Sequence, residues 1–208
     1  MAGIIEVKDQ GVLRIYDADN SNYVDIVVPS TVSSNRTITL PDASFTVPTA
    51  DTVGGITEFD MHRLTSSITA DTDPITSNIE RVDDATFSKI GTGVSQSSGV
   101  WSFPSTGLWQ VGFSGQAYPA ANDNITLSIY ATANNGTAWD QVAQSNFGNG
   151  SSRTQRRHTN FSLVNCTDTS NVKVKFTAGS FASSTSELNG NTDMNFTCFF
   201  FMRVGDSQ

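Results

Sequence analysis

Two histidines, His62 and His158, and two cysteines, Cys166 and Cys198, are all that this chain of 208 residues offers to imidazole or thiol chemistry. His62 stands in "FDMHRL" and His158 follows "RTQRR". Neither has a Cys or an acidic residue at the spacing that a metal site needs. There is no Gly-x-Ser-x-Gly elbow with a strand and helix to carry a nucleophile. There is no Gly-x-Gly-x-x-Gly and no phosphate loop. Cys166 and Cys198 lie in or at the end of strand-like runs, which favours free, buried thiols over a disulfide between them. The residue inventory therefore points away from an enzyme, and it calls for no cofactor and no metal.

Recognition is the other chemistry to look for. Arg153, Arg156 and Arg157 form the one basic cluster, "RTQRRH". They are candidate contacts for an acidic partner or a sulfated glycan, against the simpler reading of a solvated loop tip. Of Trp101, Trp109 and Trp139, the last sits beside the turn-like "NNGTA" and is the candidate for stacking on a sugar ring. The groups "DADNSN" and "AANDN" contain calcium-ligand types without the regular loop spacing of a calcium site, so they read as turns. A net charge of −8 and a pI near 4.5 argue against nucleic acid, whose affinity comes from clustered Lys and Arg. No apolar run is long enough to insert in a membrane. The start "MAGIIEVKDQG" lacks the basic and apolar regions of a signal peptide. Without one, triplets such as Asn124-Ile-Thr and Asn195-Phe-Thr are expected to be coincidental.

These side chains must be positioned by strands. Hydrophobic residues are 37% and charged residues 15% of the chain. Ser, Thr and Asn fill the difference; they suit turns and exposed strand faces and disfavour long helices. Texture divides the chain at 1–50, 51–84 and 85–208. The first part alternates short β-rich runs with turn clusters and ends in "TLPDASFTV" (39–47). Such a ribbon buries little by itself. The second part reads as a connector. Phe59, Leu64 and Ile68 have roughly helical spacing, which allows one short helix between Thr57 and Ser67.

The third part is the main body. Strand-like runs recur from "FSKIG" to "MNFTCFFFMRV", separated by clusters such as "PSTG" and "FGNGSSR". Seven or eight strands at this spacing predict a β-sandwich or jelly roll. Alternation assigns Trp109, Val111 and Phe113 to the core, with Ile125, Leu127 and Ile129, and with Val172, Val174 and Phe176. The last run is apolar on both sides. Met194, Phe196, Cys198, Phe200 and Met202 share one face, read as the core face. Phe199 and Phe201 fall on the other, which would need cover from another subunit.

Two resemblances rest on particular words. "GVWSFPSTGLWQVGFSG" (99–115) and "NFTCFFFMRVG" (195–205) resemble the globular heads of the complement-component and tumour-necrosis-factor superfamily. That resemblance implies a jelly roll that trimerises, with Phe199 and Phe201 near the three-fold axis. "GVLRIYDADNSNYVDIVVPS", "NRTITLPDASFTVPT" and the stretch from "ITEFDMHRL" into the body resemble bacteriophage fibre and structural proteins, notably of marine phages. This implies a virion location, with an attachment arm that includes Leu40, Phe45 and Val47, and a trimeric knob. The expectation is an all-β homotrimer of ribbon arm, connector and jelly-roll head. It would be a capsid decoration or short fibre whose partners are capsid or tail proteins. The alternative is a tail-fibre head that grips a host-surface glycan.

Overall fold

The computed structural model describes residues 12–27, 34, 37, 55–148 and 150–208. Every regular element in them is a β-strand. The chain falls into two compact units, Met1–Val47 and Pro48–Gln208.

In the first unit β1 (Leu13–Tyr16) and β2 (Tyr23–Ile26) form an antiparallel hairpin in which Leu13 faces Ile26 and Tyr16 faces Tyr23. The "DADNSN" cluster is its turn. The Asp17 carboxylate accepts the backbone N–H groups of Ser21 and Asn22 at 3.0 and 3.1 Å. Asn20 takes the left-handed conformation that Asn tolerates (φ 57°). Across the strands, Arg14 donates twice to Asp25, at 2.7 and 2.8 Å. Each of Val12, Leu13, Ile15, Tyr16, Tyr23, Val24, Ile26 and Val27 is at least 43% exposed. The hairpin thus has hydrogen bonds but no core of its own among the described residues. Leu40, Phe45 and Val47, the residues expected to attach, lie outside the described residues.

The second unit is a sandwich. One sheet holds, in spatial order, β10 (Arg156–Cys166), β7 (Gly107–Tyr118), β13 (Cys198–Gly205), β3 (Phe59–Leu64) and β4 (Ile79–Arg81), with the two-residue β12 (Glu187–Leu188) also on β7. The other orders β5 (Ser95–Ser97), β6 (Val100–Ser102), β11 (Lys173–Gly179), β8 (Asn124–Thr132) and β9 (Asp140–Gly148). All pairings between these strands are antiparallel.

The alternation read from sequence sets the inner faces. Trp109, Val111, Phe113, Ile125, Leu127, Ile129, Val174 and Phe176 are all sealed from water. At the centre Trp101 and Phe176 of one sheet meet Phe199 and Phe201 of the other. Trp101 lies 5.0 Å from Phe201, and Phe176 lies 4.4 Å from Phe199, between ring centroids. Trp109 packs on Phe103 at 5.0 Å. Cys166 and Cys198 are buried and unbonded.

Two expectations are corrected here. The stretch proposed as a helix between Thr57 and Ser67 contains strand β3. Its backbone is held by β13 on one side and β4 on the other, and two ladders outweigh a loose helical spacing. Residues 51–84 are therefore more than a connector, because β3 and β4 complete the sheet. The second correction concerns β13. Phe199 and Phe201 are fully buried inside a single chain, whereas Phe200 and Met202 point the other way and are half-buried. Met194 and Phe196 precede the strand. They lent weight to a face that they do not share, and this inverted the reading of which side is core.

Truncating Phe201 to Ala is expected to lower unfolding stability by about 3–5 kcal/mol, the usual loss for a large aromatic removed from a packed core. Urea denaturation measures this directly; a loss below about 1 kcal/mol would place the ring outside the core.

Candidate functional site

The outward face of the first sheet is built row by row from strand register. Residues directly opposite in an antiparallel pair point to the same side. One row across the sheet is Phe161 (β10), Gly112 (β7), Phe200 (β13) and Met61 (β3). The next is Leu163, Gln110, Met202 and Phe59. Phe161 is 54% exposed and Leu163 is 55% exposed. Three inter-strand steps of about 4.8 Å make this band roughly 14 Å wide.

Gly112 explains how the band stays flat. A Cβ placed there would lie 2.2 Å from the Phe200 ring and 2.8 Å from Phe161. The missing side chain lets Phe200 lie down over β7.

Polar rows border the band at one end. The adjoining row is Thr159, Ser114, Cys198 and Arg63, with Glu80 of β4 beyond. Arg63 is buried, and it donates to Glu80, Asp84 and Asp83 at 2.7, 2.8 and 2.5 Å. Burial by itself would weaken its charge; the hydrogen bonds to Glu80 and Asp84 outweigh it and raise the guanidinium's pKa. Further along, Arg157 donates to the Gln116 side chain at 2.6 Å.

On the inner side of the same β3 strand, Asp60 is sealed from solvent. It accepts from Arg81 at 2.9 and 3.0 Å, from the Val94 N–H at 2.9 Å and from His62 at 3.3 Å. Burial pushes its pKa up, but the His62 and Arg81 hydrogen bonds pull harder and hold it at about 2. The His62 ring in turn stands edge-on to Trp101 at 4.7 Å. Asp60 and His62 are both buried, and they tie β3 to Arg81 of β4, to the Val94 backbone and to Trp101 of the other sheet.

The residues singled out for recognition are dispersed. Arg156 and Arg157 are adjacent on β10 and so project to opposite faces. Arg156 donates to the Gly148 carbonyl at 3.1 Å. Arg153 pairs with Glu187 and lies over the Tyr118 ring at 5.3 Å. The three arginines do not form one basic patch. Trp139 is half-buried, and the Lys175 ammonium sits 5.1 Å from its ring. Phe161 and Leu163 were missed as site residues. Their signal was available in "TNFSLVNC", where both fall on one face of β10, but their row-mates become visible only once β10, β7 and β13 are in register.

No protein-family model matches the chain, and no curated protein matches it. Among solved structures, the tumour necrosis factor Eiger from S. frugiperda superposes with a TM-score of 0.52 at 10% identity, over 73% of this chain and 95% of that one. The fold is a tumour-necrosis-factor-like jelly roll. Murine APRIL superposes with a TM-score of 0.47 at 7% identity, over 71% of this chain and 99% of that one. The Eiger superposition upholds the all-β jelly roll expected from the sequence; at this identity the jelly-roll likeness concerns the fold alone.

The Asp60 arrangement carries a pH signature. Its folded pKa of about 2 lies below the ordinary value near 3.9. The stabilisation is therefore complete above about pH 4 and is lost as pH falls through about 2. Asp60→Asn is expected to be less stable than wild type at pH 7 and to lose less stability between pH 4 and pH 2. Thermal denaturation of both proteins across that range checks it; parallel curves would show that Asp60 contributes nothing to the acid limb.

Proposed function

We propose that this protein is a non-enzymatic structural component of a bacteriophage virion, a homotrimeric capsid decoration or short fibre that projects a jelly-roll knob. The band of Phe161, Leu163, Phe200 and Met202 carries the reading. Contiguous exposed apolar surface on an otherwise polar protein marks an interface. The band is flat and uncharged, and paired charges rim one end of it, which is the anatomy of a subunit contact. A second copy can supply the same apolar rows, so copies arranged about a three-fold axis bury them mutually. The superfamily that the sequence resembles trimerises through its final-strand region, and β13 lies within this band. Because Phe199 and Phe201 fill the core, the subunit contact is reassigned to the residues between and beside them.

The virion assignment is supported by the phage-like words of the N-terminal part and of the entry to the head. The hairpin suits attachment. Among the described residues its apolar side chains are exposed and no further strand pairs with β1 or β2, so it can accept one.

Two outcomes test the reading. Phe161→Asp with Leu163→Asp should leave a folded head that runs as a monomer in light scattering, while wild type runs as a trimer. A wild-type monomer, or a trimer that tolerates both carboxylates, overturns the interface. Separately, a chain lacking residues 1–47 should fold but fail to enter particles in a complementation assay, and electron microscopy of intact particles should place the full chain on the capsid or tail. Normal incorporation of the shortened chain would remove the attachment role from the N-terminal arm.

A further inference from the structure

The second sheet presents a different kind of surface. Its outward face carries an open cavity of about 500 Å³, within the on-the-order-of 300–1,000 Å³ range of small-ligand sites. Thr126, Ser128 and Tyr130 project from alternate positions of β8, with Gln144 from β9 and Thr177 from β11; Asp71 stands on the wall. Alternation makes this placement rigid, since Ile125, Leu127 and Ile129 of the same strand are locked into the core.

The chemistry of the lining is specific. Gln141 donates to the Ser128 hydroxyl at 3.1 Å and to the Gln144 side-chain amide oxygen, so the floor is an ordered amide–hydroxyl network. Asp71 accepts the Phe181 N–H through one oxygen at 2.9 Å and lines the cavity. Tyr130 offers a half-exposed ring at the rim. The nearest cation is already engaged: Lys175 is ion-paired with Asp73 at 2.6 Å and lies 5.2 Å from the Tyr130 ring. A ligand there meets hydroxyls, amides, carboxylate and one aromatic face, but no cation without an anionic partner beside it. An anionic ligand would be repelled by Asp71 and Asp73. A metal ion lacks a ligand set, because no cluster of three acidic, His or Cys side chains occurs among the described residues.

We propose that this cavity is a binding site for a neutral oligosaccharide. Vicinal sugar hydroxyls suit Asp71 as an acceptor and Thr126, Thr177 and the Gln144 amide as donors, since the Gln144 side-chain oxygen already accepts from Gln141 and Ser128, and the apolar face of a pyranose suits Tyr130. Trp139 is not among the residues that line the cavity; its ring lies 5.1 Å from the Lys175 ammonium. The site lies on the opposite sheet from the apolar band, so it holds whether or not the subunit contact does. It also differs from the basic cluster, which would have selected a sulfated glycan.

The full chain, probed on a glycan array carrying neutral, sialylated and sulfated oligosaccharides, should bind neutral structures. Titration calorimetry with the best neutral hit should then show at least tenfold weaker binding for Tyr130→Ala and for Thr177→Val, and unchanged binding for Arg153→Ala. Asp71→Asn keeps the acceptor for Phe181 and should also weaken binding; it decides the matter if Tyr130→Ala misfolds by circular dichroism. Failure to bind any neutral glycan, binding of acidic glycans only, or neutral binding indifferent to Asp71→Asn and Thr177→Val would each overturn the proposal.

Discussion

Four rings hold the sandwich together. Trp101 and Phe176 come from one sheet, and Phe199 and Phe201 from the other; they interlock with centroid separations between 4.4 and 6.4 Å. Each fully buried aromatic contributes about 1.5–3 kcal/mol of transfer free energy, and their edge-on and tilted geometry adds to it. More follows than stability. Once Phe199 and Phe201 are fixed inward, a strand period of two turns Phe200 and Met202 outward. The surface band is therefore a by-product of core packing: the side chains that close the core dictate what the protein shows to its surroundings.

Much of the fold was legible because strand alternation is a local signal. The face assignments of β7, β8 and β11 came from sequence spacing alone and match the buried set. Turn chemistry was equally local, as the Asp17 cluster shows. What failed needed knowledge of partners. β3 carries Asp60, His62 and Arg63 within four residues, a composition that reads as polar loop or helix surface. It becomes a buried strand only because Arg81 and the Glu80, Asp83 and Asp84 carboxylates neutralise those charges from elsewhere in the sequence. No periodicity encodes that compensation.

The candidate sites show the same division. That β13 is apolar on both sides, and needs cover on both, was readable from residues 198–202. Which side is core was not, because it depends on where the strand begins. The cavity on the second sheet was less visible still. Thr126, Ser128 and Tyr130 look like an ordinary solvated strand face; they become a cavity floor only when the Asp71–Asp73 segment rises beside them. Sites built from one strand's alternation can be guessed, and sites walled by a distant loop cannot.

The position of β13 between β7 and β3 has a consequence for synthesis. Phe199 is opposite Phe113 on one side and His62 on the other, so the strand that joins the two halves of the sheet leaves the ribosome after both. Until then β3 and β7 are unjoined edges, and the inner face of the sheet has lost two of its rings. Such long-range pairing makes folding slow and leaves nascent chains prone to stray association. The same order gives the outward band a late origin: a chain cut short before Cys198 cannot form the Phe200–Met61 row, so the band is complete only when the last strand is in place.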